Sequence, residues 1–204
     1  MPTRSAIIED IKQMHEAGLA TMAYYYFDFR DVKKQDCFGL LSSLISQLAA
    51  ESDPCYNLLS RLYSDHTRGI EKPYIDSLKK CMTDMLSLPG QSPIHIIIDA
   101  LDESPDSPGN PSAREEVLKL MEELIKFEFP NLRLCVASRP EIDVGMVLEP
   151  LASHQISIHD ESGQKEDIIT YIKSVVRSDK TMRQLGREGQ NLVIDTLSRR
   201  VDGM

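Results

Sequence analysis

The apolar positions of this chain alternate between two spacings. Ile7, Ile8, Ile11 and Met14 recur at intervals of three and four, which predicts a helix over Ser5 to Ala17, closed by Gly18 as a C-cap. Leu19 to Phe29 is instead dense in aromatic and β-prone residues and predicts a strand ending near Asp28. Tyr24, Tyr25, Tyr26, Phe27 and Phe29 are read as core side chains rather than as a surface for stacking bases. Helical spacing returns with Phe38, Leu41, Leu44, Ile45 and Leu48, capped by Asp36 and running from Cys37 to Ala50. Pro54 opens a shorter helix through Tyr63, and Pro73 a third with Ile75, Leu78, Met82, Met85 and Leu86 as its stripe.

The most apolar run is Ile94 to Ile98, bounded by Pro93 and Asp99, with isoleucine at four of its five positions. A run of that length without alternation reads as a strand buried on both faces. Ser104 to Ser112 follows, rich in Pro, Ser, Gly and Asp, and reads as a mobile surface loop. Ser112 and Glu115 have capping-box spacing for a helix reaching about Phe127. Leu132 to Ala137 predicts a second buried strand, and Ile156 to Ile158 a short later one. Glu166 to Val176 and Gln190 to Val201 read as helices, with Asp202-Gly203 as a helix end. Strands alternating with helices in this way imply an α/β fold with a parallel sheet.

Composition narrows the class. The 204 residues suffice for one α/β domain, and 27% charged with 41% hydrophobic residues is an ordinary globular mixture. A net charge of −9 argues against a general nucleic-acid or anionic-membrane surface. Cys37, Cys55, Cys81 and Cys135 form no C-x-x-C pair, and Cys135 is expected to be a reduced core residue. A reducing, cytoplasmic setting follows, with neither a signal peptide nor a membrane-spanning run.

The chemistry is expected at the carboxyl ends of the strands, where α/β sheets bind ligands. Asp99, Asp102 and Glu103 place three carboxylates within five residues directly after the apolar strand. Such acids either help to hold a hydrated Mg²⁺ and polarise a water, or form a solvated acidic turn. Ser138 and Arg139 end the next strand, which one intervening helix should place alongside. Arg139 by itself reads as a surface salt bridge to one of the acids. Beside them, it suits a nucleoside triphosphate carrying Mg²⁺. Asp99 would hold the metal through water, Asp102 or Glu103 would orient the attacking water, and Ser138 and Arg139 would meet phosphate. A phosphate cradle of the form G-x-x-x-x-G-K-[ST] is missing: none of the ten glycines is followed by lysine.

The run Ile94–Glu103, ending D-A-L-D-E, resembles the extended Walker B motif of NACHT-type P-loop NTPases. Leu134–Pro140, ending A-S-R-P, is similar to their sensor segment. Ser5–Ile11 resembles the helix after the P-loop, and Tyr25–Phe29 the next strand of fungal NACHT and nephrocystin-like N-terminal domains. Arg200–Met204 resembles the segment before their helical and winged-helix regions. The resemblance implies a three-layer parallel sheet of the P-loop NTPase type, incomplete because the P-loop strand is missing. It implies a truncated NTPase core over 1–177 and the start of a helical region over 178–204. In the intact parent it implies a signalling switch of the STAND class, binding ATP or GTP with Mg²⁺ and self-associating through its NACHT domains, often alongside an effector and repeats.

Lacking the P-loop, the chain is expected to be a gene-model fragment or truncated product that binds nucleotide weakly or not at all. The missing strand would lie between Leu132–Ala137 and Ile156–Ile158, so Ile156–Ile158 should drift away or pair directly with the sensor strand. Two other readings remain: a non-enzymatic α/β interaction module, and a Mg²⁺-dependent hydrolase that recruits Asp28 as a further ligand.

Overall fold

The computed structural model describes residues 4–66, 72–106, 111–156 and 162–200. The first helix, α1 (Arg4–Glu16), packs on β1 (Thr21–Tyr26), and Gly18 turns the chain between them at φ +69°. Three helices follow: α2 (Cys37–Glu51), α3 (Asp53–Asp65) and α4 (Ile75–Leu86). The Asp36 carboxylate caps α2 by accepting the Gly39 N–H at 2.8 Å, and the Ser52 hydroxyl caps α3. β2 (Ile94–Asp99), α5 (Ala113–Lys126) and β3 (Leu132–Val136) complete the core, with the expected capping box of Ser112 and Glu115 opening α5. A short helix that the sequence pattern did not reveal, α6 (Ile142–Leu148), then follows the Arg139 segment.

The three strands form one all-parallel sheet in the order β1-β2-β3, an incomplete α/β layer of the kind expected. Its register puts Ala23, Ile96 and Leu134 side by side, and Tyr25, Ile98 and Val136. That face is the core. Ile94, Ile96 and Ile98 are buried there against Leu40, Leu44, Met82, Met85, Val117 and Met121 from α2, α4 and α5. Each fully buried side chain of this size contributes roughly 1.5–3 kcal/mol of burial.

The opposite face is only partly covered. Ile97 is buried in its middle, but Tyr24, Tyr26, Arg133 and Cys135 are exposed. Two expectations are therefore corrected. The aromatic cluster divides, with Tyr25 and Phe27 in the core and Tyr24, Tyr26 and Phe29 outside it, because successive strand residues point to opposite faces. The strand Leu132–Val136 is not buried on both faces, and Cys135 is an exposed thiol rather than a core residue. Among the described strands β3 lies at the end of the sheet order, and its Arg133 and Cys135 side chains are exposed. Nor is the Ser104–Ser112 loop wholly at the surface, since Ser104 and Ser112 are both buried.

The two sheet edges differ. Along β1, the Gln47 side-chain amide accepts the Tyr24 N–H at 3.0 Å and donates to the Tyr24 carbonyl at 2.8 Å, so an α2 side chain occupies the outward backbone groups. At the start of β3, the Leu132 N–H donates to the Phe129 carbonyl at 3.2 Å and its carbonyl accepts the Arg133 guanidinium at 3.0 Å.

The chain divides into two compact units, Met1–Ala152 and Ser153–Met204. Within the second unit α7 (Ser162–Ser178) packs on α8 (Gly186–Arg200). Ile156 is exposed and belongs to no strand, and the rest of the expected Ile156–Ile158 strand lies outside the described residues, as does Asp202-Gly203. No helix among the described residues is long and apolar enough to cross a membrane.

Candidate functional site

The chain leaves β2 through a strained residue. Ala100 sits at φ 55°, ψ 44°, a left-handed conformation that costs a residue bearing a Cβ about 1 kcal/mol or more. One 3₁₀ turn, Leu101–Glu103, follows, with Leu101 fully buried and its N–H donating to the Ala137 carbonyl at 3.2 Å. The backbone therefore bends across the end of β3 rather than continuing outward. This bend brings Asp102 to the Arg139 segment.

Asp102 is bound there twice. Its carboxylate accepts the Arg139 backbone N–H at 3.1 Å and lies 3.4 Å from the Arg139 guanidinium. The two motif segments, far apart in sequence, thus meet as one ion-paired unit. Glu103 turns the other way, and its carboxylate accepts the Phe29 N–H at 3.2 Å, tying down the chain just beyond β1. Ser138 is exposed, and its hydroxyl donates to the Arg139 carbonyl at 2.9 Å. Asp99 ends β2, half-buried opposite Tyr26.

Sequence reasoning missed the residue that joins these pieces. Arg114, in the first turn of α5, is buried, and its guanidinium donates to the Ser104 carbonyl at 2.9 Å and the Asp102 carbonyl at 2.7 Å. It also pairs with Asp143 of α6 at 3.3 Å. The Ser104 hydroxyl donates to the Gln35 carbonyl at 2.8 Å, and the Gln35 side chain donates to the Phe29 carbonyl at 2.6 Å. A hydrogen-bonded belt therefore runs from the end of β1 through the acidic turn to α6. One signal for Arg114 was visible: a cation in a helix's first turn opposes the helix dipole and needs another reason to be there.

An open cleft of about 400 Å³ lies inside this belt. Asp102, Glu103, Arg114, Arg139, Gln35 and Glu141 are among the residues that line it, with Phe29 beside them. Asp99 and Ser138 are not among the lining residues. Asp28 faces elsewhere: Arg30 grips it through its backbone and guanidinium, and these hydrogen bonds hold its carboxyl below the usual carboxylate range. Among the described residues, no three His, Cys, Asp or Glu converge as a metal site. The acids thus build no protein cage for Mg²⁺.

A family profile described as Nephrocystin 3, N-terminal matches residues 3–139, which spans every element from α1 through β3 and ends on Arg139. No curated protein and no solved structure matches the chain.

Proposed function

This chain belongs to the nephrocystin 3 N-terminal family, and we propose that it carries the acidic strand end and arginine segment of a NACHT-type, nucleotide-dependent signalling switch. The observation that carries this reading is the pairing of Asp102 with Arg139, both lining an open cleft at the carboxyl ends of parallel strands. In this reading Arg139 exchanges its carboxylate partner for the terminal phosphate of ATP or GTP, assisted by the Ser138 hydroxyl. Release of Asp102, or a shift of Glu103 away from Phe29, then leaves a carboxylate to orient the attacking water. Asp99 is the residue that would help to hold a hydrated Mg²⁺, which when bound would supply neutralising charge to the phosphates. Self-association follows nucleotide state in this class.

The chain contains no G-x-x-x-x-G-K-[ST] segment, so its backbone offers no phosphate cradle of that kind. Nucleotide binding by this chain alone is therefore weak or absent. Titration with fluorescent ATP and GTP analogues, with and without Mg²⁺, tests this. Micromolar, Mg²⁺-dependent affinity would overturn the weak-binding reading. Any weak binding should be lost in Arg139→Ala and Asp99→Asn, and binding untouched by both would overturn the site assignment.

A non-enzymatic interaction module is the second reading. It is favoured by the same pair, since Asp102, Glu103 and Arg139 all have partners within the chain. The hydrolase recruiting Asp28 has no such support, because Arg30 occupies that carboxylate.

A further inference from the structure

We propose that α6 is a switch helix whose docking is governed by Asp102, through two ties that both end on that one residue. The coupling does not rest on the nucleotide reading, which would only supply the event that displaces the carboxylate.

Little in α6 itself accounts for its position. It has seven residues, and isolated helices shorter than about 12–15 residues are marginal in water. Glu141 stands at its N-cap, but its side chain makes no capping hydrogen bond. Val144 is buried in the core, and Val147 and Leu148 pack half-buried against it. The start of the helix is held from outside.

The first tie is the side chain of Asp102. It accepts the Arg139 N–H at 3.1 Å and lies 3.4 Å from the guanidinium. The Glu141 N–H donates to the Arg139 carbonyl at 2.9 Å, and the Gly145 N–H to the Glu141 carbonyl at 3.0 Å. The segment that Asp102 grips therefore runs straight into the first turn of α6. The second tie is the backbone of Asp102. Arg114 donates from Nη2 to the Asp102 carbonyl at 2.7 Å and from Nη1 to the Asp143 carboxylate oxygens at 3.3 and 3.5 Å. Asp143 belongs to that same first turn. The contacts close a circuit from Asp102 through Arg139, Glu141, Asp143 and Arg114 back to Asp102.

The links of this circuit are unequal. Arg114 is buried, and its bond to the Asp102 carbonyl is short. Its contacts with Asp143 are longer than the roughly 2.7–2.9 Å of a strong charge-assisted bond, and the Asp143 side chain is 36% exposed. The Arg139 guanidinium is exposed as well. The two links that reach α6 are thus the weak ones, and the link that shapes the acidic turn is the strong one. α6 can leave while the turn stays built, and such local openings cost less than unfolding the whole. A group that takes Arg139 from Asp102 opens the first tie and leaves α6 on the second alone.

Amide hydrogen exchange of the whole chain, read by mass spectrometry over residues 142–148 and over β2, tests the proposal. Asp102→Ala and Asp143→Ala should each quicken exchange in α6 roughly two- to fivefold, as loss of a partly exposed pair does. Either remaining tie still holds the helix, so the double variant should exceed the product of the two by a further factor of about three or more. Exchange in β2 should rise far less than in α6. Arg139→Glu should quicken α6 more than Arg139→Ala, because a like charge drives the Asp102 carboxylate off the segment. Circular dichroism checks folding, and Asp102→Asn with Asp143→Asn runs the same cycle at constant side-chain size should the alanine pair fail to fold. A double variant that merely multiplies the single effects would overturn the proposal. So would β2 exchange rising in step with α6, the mark of a merely structural role, or an Arg139→Glu variant exchanging at the parent rate. None of these outcomes depends on nucleotide affinity, so a failed nucleotide titration leaves the result standing.

Discussion

Asp102 holds Arg139 by its backbone as well as its side chain: the carboxylate accepts the Arg139 N–H at 3.1 Å and sits 3.4 Å from the guanidinium. The partners are unequally exposed, with 9% of the Asp102 side chain accessible against 79% for Arg139. Most of the stabilisation should therefore come from the backbone contact. We expect Asp102→Ala to cost about 1.5 kcal/mol, because it removes a charge-assisted hydrogen bond at the strand end. Arg139→Ala keeps that bond and should cost less than about 0.5 kcal/mol, as exposed ion pairs do. Urea unfolding of both variants decides the matter, and equal losses would show that the ion pair dominates.

Arg114 should matter more to stability than either. It is buried, and removing it leaves the Asp102 and Ser104 carbonyls without their donor and takes Asp143's partner. Arg114→Met should cost about 2–4 kcal/mol. Arg114→Lys should recover only part of this, since an ammonium cannot span three acceptors arranged for a planar fork. Equilibrium denaturation of both variants checks this ordering, and full recovery by lysine would overturn it.

Ala100 carries strain that glycine would not. Its left-handed backbone, φ 55°, ψ 44°, is what swings the acidic turn toward β3. Ala100→Gly should raise stability by roughly 0.5–1 kcal/mol, the relief exceeding the added freedom of the unfolded chain. Thermal unfolding gives the sign directly, and a lower midpoint would mean that the alanine methyl contributes more packing than its conformation costs.

Alkali should unfold this protein through its buried acids. Burial pushes the Cys37 thiol up to about 12 and the Cys81 thiol up to about 11, and also raises the Tyr25 hydroxyl. Above the ordinary thiol range, the folded state then binds more protons than the unfolded state. Stability accordingly falls as pH rises from about 8.5, and for Cys37 and Cys81 the loss continues until the folded thiols ionise. Urea midpoints across this range should decline, and Cys37→Val should flatten the decline. A midpoint constant to the end of the range would refute it.

The elements were legible where one local rule sufficed. Ser112 and Glu115 announced α5, and the isoleucines of Ile94–Ile98 announced the central strand of a parallel sheet. The pattern of Leu132–Val136 misled for a physical reason. A strand rich in apolar residues looks the same whether it lies at the centre or the edge of a sheet, and its neighbours decide which of its residues are buried. The aromatic run divided between core and surface by strand alternation, which needs the register before it can be read.

The residues of the candidate cleft followed the same division. Local spacing was enough to place Asp99, Asp102 and Glu103 at a strand end and Arg139 at the end of the next. It could not say that Asp102 would take hold of Arg139, that Glu103 would turn to Phe29, or that Arg114 would tie the turn to α6. Those contacts span 37, 74 and 29 residues of chain. Helix spacing, caps and the apolar strand are set by neighbours in sequence, because backbone hydrogen bonding and side-chain alternation repeat over a few residues. Which carboxylate is paired, which edge is covered and which arginine is buried depend on surfaces brought together only when the sheet assembles, and so the tertiary structure alone decided them.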